Sequence, residues 1–171
     1  MLNRATAAAL LSLLLAGCVL QSKEPLITDA TGDAALAGFG SRFTSYEATS
    51  EAGWRKDVDL LTVTPHGKHY VLSDGKTKSD ILFHTVTKNW WGVQMTEPGQ
   101  GSVYALAEAR VGEIVIHPLT CDGMRKAARY EALVRFEKDD CFVRDRASLA
   151  EVFRLAVAEP GQASIKLVPR K

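Results

Sequence analysis

From residue 42 onward the chain alternates short apolar-rich runs with turn chemistry. The runs at 42–48, 58–64, 69–73, 80–87, 90–96, 102–109 and 113–117 are rich in β-branched and aromatic residues. They are separated by Pro65-His66-Gly67-Lys68, Asp74-Gly75, Lys88-Asn89, Pro98-Gly99-Gln100-Gly101 and Val111-Gly112. Runs of this length broken by such turns predict an antiparallel β-meander of about seven strands. Alternation is not clean, however, because Ile81 and Phe83 fall on one face while Leu82 and Val86 fall on the other. Both faces therefore need cover, which a curled sheet or helices on one side would supply.

After His117-Pro118 the period changes. Asp122 can cap a helix to about residue 132, followed by a strand at 133–136, a polar turn at 137–140 and a strand at 141–144. Asp145 or Ser148 can open a second helix, and Ser148-Leu149-Ala150-Glu151 fits a capping box. Leu149, Val152, Phe153 and Ala156 fall at i, i+3, i+4 and i+7, one apolar stripe that Pro160-Gly161 ends. Residues 165–168 can form a last edge strand. The expected class is α+β: a curled antiparallel meander, a helix-strand-helix tail and a short final strand.

The amino terminus obeys different rules. One basic residue, Arg4, precedes a mostly apolar run at 5–16, and polar Gln21, Ser22, Lys23 and Glu24 follow soon after. A spanning helix needs about 20 apolar residues, so this segment reads as a secretory signal peptide over 1–17. Residues 18–40 are small, polar and glycine-rich and read as a flexible tether, leaving 41–171 as one domain.

Leu15-Ala16-Gly17-Cys18 resembles the lipobox of bacterial lipoproteins. That resemblance implies cleavage before Cys18, diacylglycerol on its sulfur and a further acyl chain, such as palmitate, on its amino group. Several chains together anchor stably, since each buried methylene contributes about 0.8 kcal/mol. Val19, in place of the aspartate that retains such proteins in the inner membrane, implies the periplasmic face of the outer membrane. Further along, Cys121-Asp122, Cys141 and Asp145-Arg146-Ala147-Ser148-Leu149 are similar to small lipoproteins of Gram-negative bacteria, a group that brings no activity with it.

Charge and cysteine usage then narrow the classes. The chain holds 21 basic and 20 acidic residues, and Arg4 is the only charge within 1–17, so the mature part balances at 20 against 20. Without a basic run, phosphate-backbone binding lacks its electrostatic footprint, and nucleic acid is excluded as an expected partner. Arg125, Lys126 and Arg129 share one helix face and read as solvated surface. With Cys18 assigned to lipid, Cys121 and Cys141 remain, and a disulfide is the default in an oxidising envelope, stabilising by about 3 kcal/mol. A metal site built from both thiolates and Asp122, Asp139 and Asp140 is the alternative, without CxxC spacing or a nearby histidine.

Few residues point to chemistry. His66 and His69 flank a Gly67-Lys68 turn and could share a side, but two ligands on a turn lack the fixed geometry of a helical metal motif. His84 and His117 lie in strands, Ser73 sits at a turn without a GxSxG or SxxK setting, and Glu97, Glu108 and Glu113 show no pairing. Gly99-Gln100-Gly101 is a strand connection and not a phosphate loop. The aromatic group Trp90-Trp91, with Trp54 and Tyr104, is the best binding feature, because adjacent strand residues face opposite ways and one tryptophan could meet a partner protein or glycan. No catalytic, metal or cofactor residue is assigned. The expected contacts are Trp90, Trp91, His66 and His69, on a non-enzymatic binding or structural module of the envelope. An inhibitor of a lytic enzyme such as lysozyme, or an envelope hydrolase, are the other readings.

Overall fold

A computed structural model describes residues 19–29, 32–33, 40–51, 53–97 and 101–170, so the expected signal peptide and Cys18 lie outside the described residues. The strands are β1 (Leu20–Ser22), β2 (Arg42–Ala48), β3 (Trp54–Lys56), β4 (Leu61–His66), β5 (His69–Ser73), β6 (Lys78–Thr87), β7 (Trp90–Glu97), β8 (Gly101–Arg110), β9 (Glu113–Pro118), β10 (Val134–Glu137), β11 (Asp140–Val143) and β12 (Ile165–Pro169). From β4 to β9 each strand pairs antiparallel with the next, and β2 pairs with β4. The ring closes through β12, where Ile165 opposes Ile116 of β9 on one side and Glu47 of β2 on the other.

The result is a closed eight-stranded barrel, so the protein is predominantly β and the α+β expectation fits only in part. The open, curled meander is corrected for a physical reason. An open sheet would leave the edges of β2 and β9 unpaired. The run expected as a final edge strand satisfies both edges and becomes the eighth stave.

Closure sorts the side chains. Phe43, Leu61, Val63, Leu72, Ile81, Phe83, Val93, Met95, Ala105 and Ile114 form the cluster that fills the barrel. Leu82, Tyr104 and Leu106 join a second cluster on the outer wall, under Leu149, Val152, Phe153 and Ala156. This is the cover that the two-sided pattern of β6 required. The covering helix α2 (Arg146–Ala158) is capped by Asp145, whose Oδ1 accepts from the Ser148 amide at 2.7 Å. Ser148 is thus inside the helix, and Glu151 binds Arg154 at 2.5 Å in place of closing a capping box. Where the helix crosses β7 the wall carries Gly92, and a Cβ there would stand 2.2 Å from Phe153 Cε2.

The helix expected over 122–132 is shorter. Helix α1 (Cys121–Arg125) is followed by a separate 3-10 turn at Ala128–Tyr130. Inward positions recur every three residues, at Cys121, Met124, half-buried Ala127 and Tyr130, short of the 3.6-residue period that would hold one α-helix on the core.

The tether expected over 18–40 is corrected over its described part. β1 is wedged between β8 and β11, with Gln21 opposite Val103 and Leu20 opposite Cys141. Leu26 and Ile27 then cross the outer wall, and the Asp33 amide donates to Phe83 O at 2.8 Å. Residues 19–29 and 32–33 lie as a strap on the barrel, where Leu20 and Ile27 are buried and the amides of Leu26, Ile27 and Asp33 find partners. β3, another element missing from the expected pattern, continues β4 along the edge of β2 after a break at residues 57–60.

Candidate functional site

The barrel encloses a cavity of about 60 Å³ lined by aliphatic and aromatic side chains, among them Leu72, Ile81, Phe83, Val93, Met95, Ala105 and Ile116. An apolar void of this kind stays dry, since water would find no hydrogen-bond partners, but it is well below the roughly 150 Å³ that admits benzene. Tyr70 and Phe83 pack edge to face at 5.5 Å within the same interior, and buried Trp91 joins it.

One end of the barrel is finished by the break between β3 and β4. Val58 packs against the interior cluster, and its amide donates to buried Ser45 Oγ at 3.1 Å. Ser45 Oγ in turn donates to Asp57 Oδ2 at 3.3 Å. Burial pushes the Asp57 carboxyl above its ordinary range, and Glu47 and Asp74 push the same way, against the hydrogen bond from Ser45 and the charge of Arg55. A folded pKa raised above the unfolded value means that the folded state binds the proton more tightly, so stability falls as pH rises through the folded pKa. Asp57→Asn is therefore expected to raise the melting temperature at pH 7, with the gain disappearing below pH of about 3.9, where the unfolded carboxyl is also protonated. Thermal unfolding of both proteins across that range checks it, and a gain independent of pH would reject the assignment to Asp57 ionisation.

The expected contact residues separate. Trp91 is 9 % exposed and points into the barrel, while Trp90 lies half-buried on the outer wall with its ring 5.2 Å from that of His117. Neither stands free as a partner contact; the more open tryptophan is Trp54, 37 % exposed, with Lys166 Nζ 4.9 Å from its ring centroid. His66 and His69 stack at 5.1 Å across the β4–β5 turn, and His69 Nδ1 lies 3.3 Å from Asp29 Oδ1 on the strap. The hairpin keeps them on one side because Gly67 takes the positive φ of 69° that a two-residue turn demands.

Cys121 and Cys141 are bonded to each other, which removes the thiolate metal site. Among the described residues no group of three His, Cys, Asp or Glu side chains is placed to hold an ion. His117, buried on the outer wall, has Nδ1 2.7 Å from Gly161 O and Nε2 3.3 Å from Glu108 Oε2. Burial alone would raise the Glu108 pKa, but Arg110 at 2.6 Å and His117 outweigh it and hold the carboxyl low. Glu108 is thus a settled anion, with no proton to give at neutral pH. Of the basic trio, Arg125 stacks on Phe136 at 5.4 Å and Arg129 pairs with Glu159 at 2.7 Å.

Gln94 is not among the expected contacts. Fully buried on the outer face of β7, its Oε1 accepts from the amides of Leu26 and Ile27, each at 2.8 Å, and its Nε2 donates to Ile27 O at 2.9 Å. Tyr104 OH donates to the same Oε1 at 3.2 Å and lies 2.6 Å from Ser22 Oγ. This buried network fastens the strap; a glutamine among apolar strand residues was its only trace in sequence. A second hollow, of about 680 Å³, lies between the strap and β10–β11, but Lys23, Arg135 and Arg144 share it with Glu24 and Asp145, so it selects no ligand charge. No family model, curated protein or solved structure matches this chain.

Proposed function

We propose that this chain is a cell-envelope lipoprotein, anchored at Cys18, that acts by binding and whose barrel interior takes the end of an alkyl chain. The observation that carries the reading is the closed barrel with an apolar cavity at its centre. Its polarity runs opposite to that of a membrane-spanning barrel, in which the apolar side chains face outward to lipid. Here exposed Thr64, Lys78 and Asp80 face solvent on the β4–β6 wall while Val63, Leu72 and Ile81 face inward. At about 60 Å³ the void holds only the tip of a chain, and Met95, an unbranched and adaptable side chain, is the residue that moves aside for more. A disulfide suits the oxidising compartment that the lipobox implies.

Titrating the Cys18→Ser protein with saturated alkanoates of increasing length, while following tryptophan fluorescence, tests the reading. A saturable change is expected that is lost in Trp91→Phe, which retains Trp54 and Trp90. Ala105→Leu, which fills the cavity from its wall, is expected to weaken binding at least about tenfold, the equivalent of roughly 1.4 kcal/mol. Absence of a saturable response at every chain length would discard the alkyl-chain reading.

A further inference from the structure

A lipid on Cys18 would have almost no slack. Val19, the next residue, is 6 % exposed and bridges Thr120, and fully buried Leu20 donates its amide to Leu119 O at 2.7 Å. β1 is held on both edges, by Ser102 and Val103 of β8 and by Cys141 and Phe142 of β11. The Cys121–Cys141 bond links the segment beside Val19 to the strand beside Leu20. The loop after α2 meets the same end of the barrel, since Gly161 O contacts His117 Nδ1 at 2.7 Å and the Ser164 amide donates to Ile116 O at 3.0 Å.

We propose that this end of the barrel, around Val19, Thr120 and Gln162, rests directly on the lipid headgroups of the membrane that holds the anchor. The inference rests on the reading of Cys18 as the lipidated residue. Two lengths decide it. A free tether over residues 18–40 would let the domain wander about 25 Å from its anchor. With Val19 already packed, successive Cα atoms about 3.8 Å apart leave the Cys18 sulfur no more than about 7 Å from the Val19 Cα. The face is suited to a headgroup layer: Thr120 and Gln162 are exposed and polar, and the nearby charges Arg129 and Glu159 neutralise each other at 2.7 Å. The far end of β9 carries the Val111 turn, fully exposed and about 20 Å away along the strand.

The full-length chain, purified after processing in a bacterial host and returned to phosphatidylethanolamine/phosphatidylglycerol vesicles with a headgroup nitroxide, provides the test. A fluorophore is placed at Gln162→Cys or Val111→Cys. Quenching is expected at position 162 and not at 111, and a Gly-Ser spacer of about 20 residues between Cys18 and Val19 is expected to abolish it. Equal quenching at the two positions, none at 162, or quenching at 162 that survives the spacer overturns the seated orientation. A chain that carries no acyl mass on Cys18 defeats the anchor reading instead, and mass spectrometry separates that failure from the first.

Discussion

Gly92→Ala is expected to destabilise the domain by about 2–3 kcal/mol, although the substitution adds a single methyl group to a strand that tolerates alanine. The backbone at Gly92 has no positive φ, so the cost is steric: the new Cβ meets the Phe153 ring at 2.2, 2.4 and 2.5 Å. The ring is 1 % exposed and has nowhere to retreat without lifting α2 from the wall. Phe153→Ala is expected to cost about 3–5 kcal/mol by leaving a cavity. The decisive comparison is the double variant, measured by urea unfolding. If ring and glycine collide, adding Gly92→Ala to Phe153→Ala costs little further, because the methyl then occupies vacated space. Strict additivity of the two losses would show that Gly92 serves some purpose other than seating the helix.

Cys121→Ala/Cys141→Ala is expected to cost a similar amount, about 3 kcal/mol within a usual range of 2–5, since the bond closes a loop between positions 20 apart in sequence. Both cysteines are fully buried, so the apolar alanines leave no unpaired polar group. A local effect accompanies the global one. β11 is a partner of β1, and loosening it is expected to speed amide exchange at Leu20 and Gln21 more than at Val93 in the barrel wall. An unchanged unfolding midpoint, or uniform acceleration across the chain, would remove the disulfide from its assigned place as the clamp on β1.

How much of this was written locally can be judged element by element. β5 runs where the turns on either side place it, because hairpin chemistry at Gly67-Lys68 and Asp74-Gly75 is local, and β2 coincides with its own run at 42–48. The stripe Leu149, Val152, Phe153 and Ala156 is buried as its spacing requires. Barrel closure was not legible, since the pairing of Ile165 with Glu47 joins residues far apart and leaves no periodic signal in either. The strap escaped for a related reason: three residues of β1 are too short to show a period, and Leu26 and Ile27 are held by Gln94, a residue of another strand. The facing of Trp90 and Trp91 followed from the strand pleat, whereas the burial of both depended on closure and on the His117 side of the wall.

Barrel closure through β12 also sets an order of events. The strand that joins β9 to β2 follows every other barrel strand in sequence, so a chain emerging from its amino end leaves both edges unpaired until residues 165–169 arrive. Non-local pairing of this kind slows folding, because loop closure must precede the contacts that reward it. Under the export proposed above, a barrel that cannot close before its eighth strand arrives would acquire its interior only after crossing the membrane.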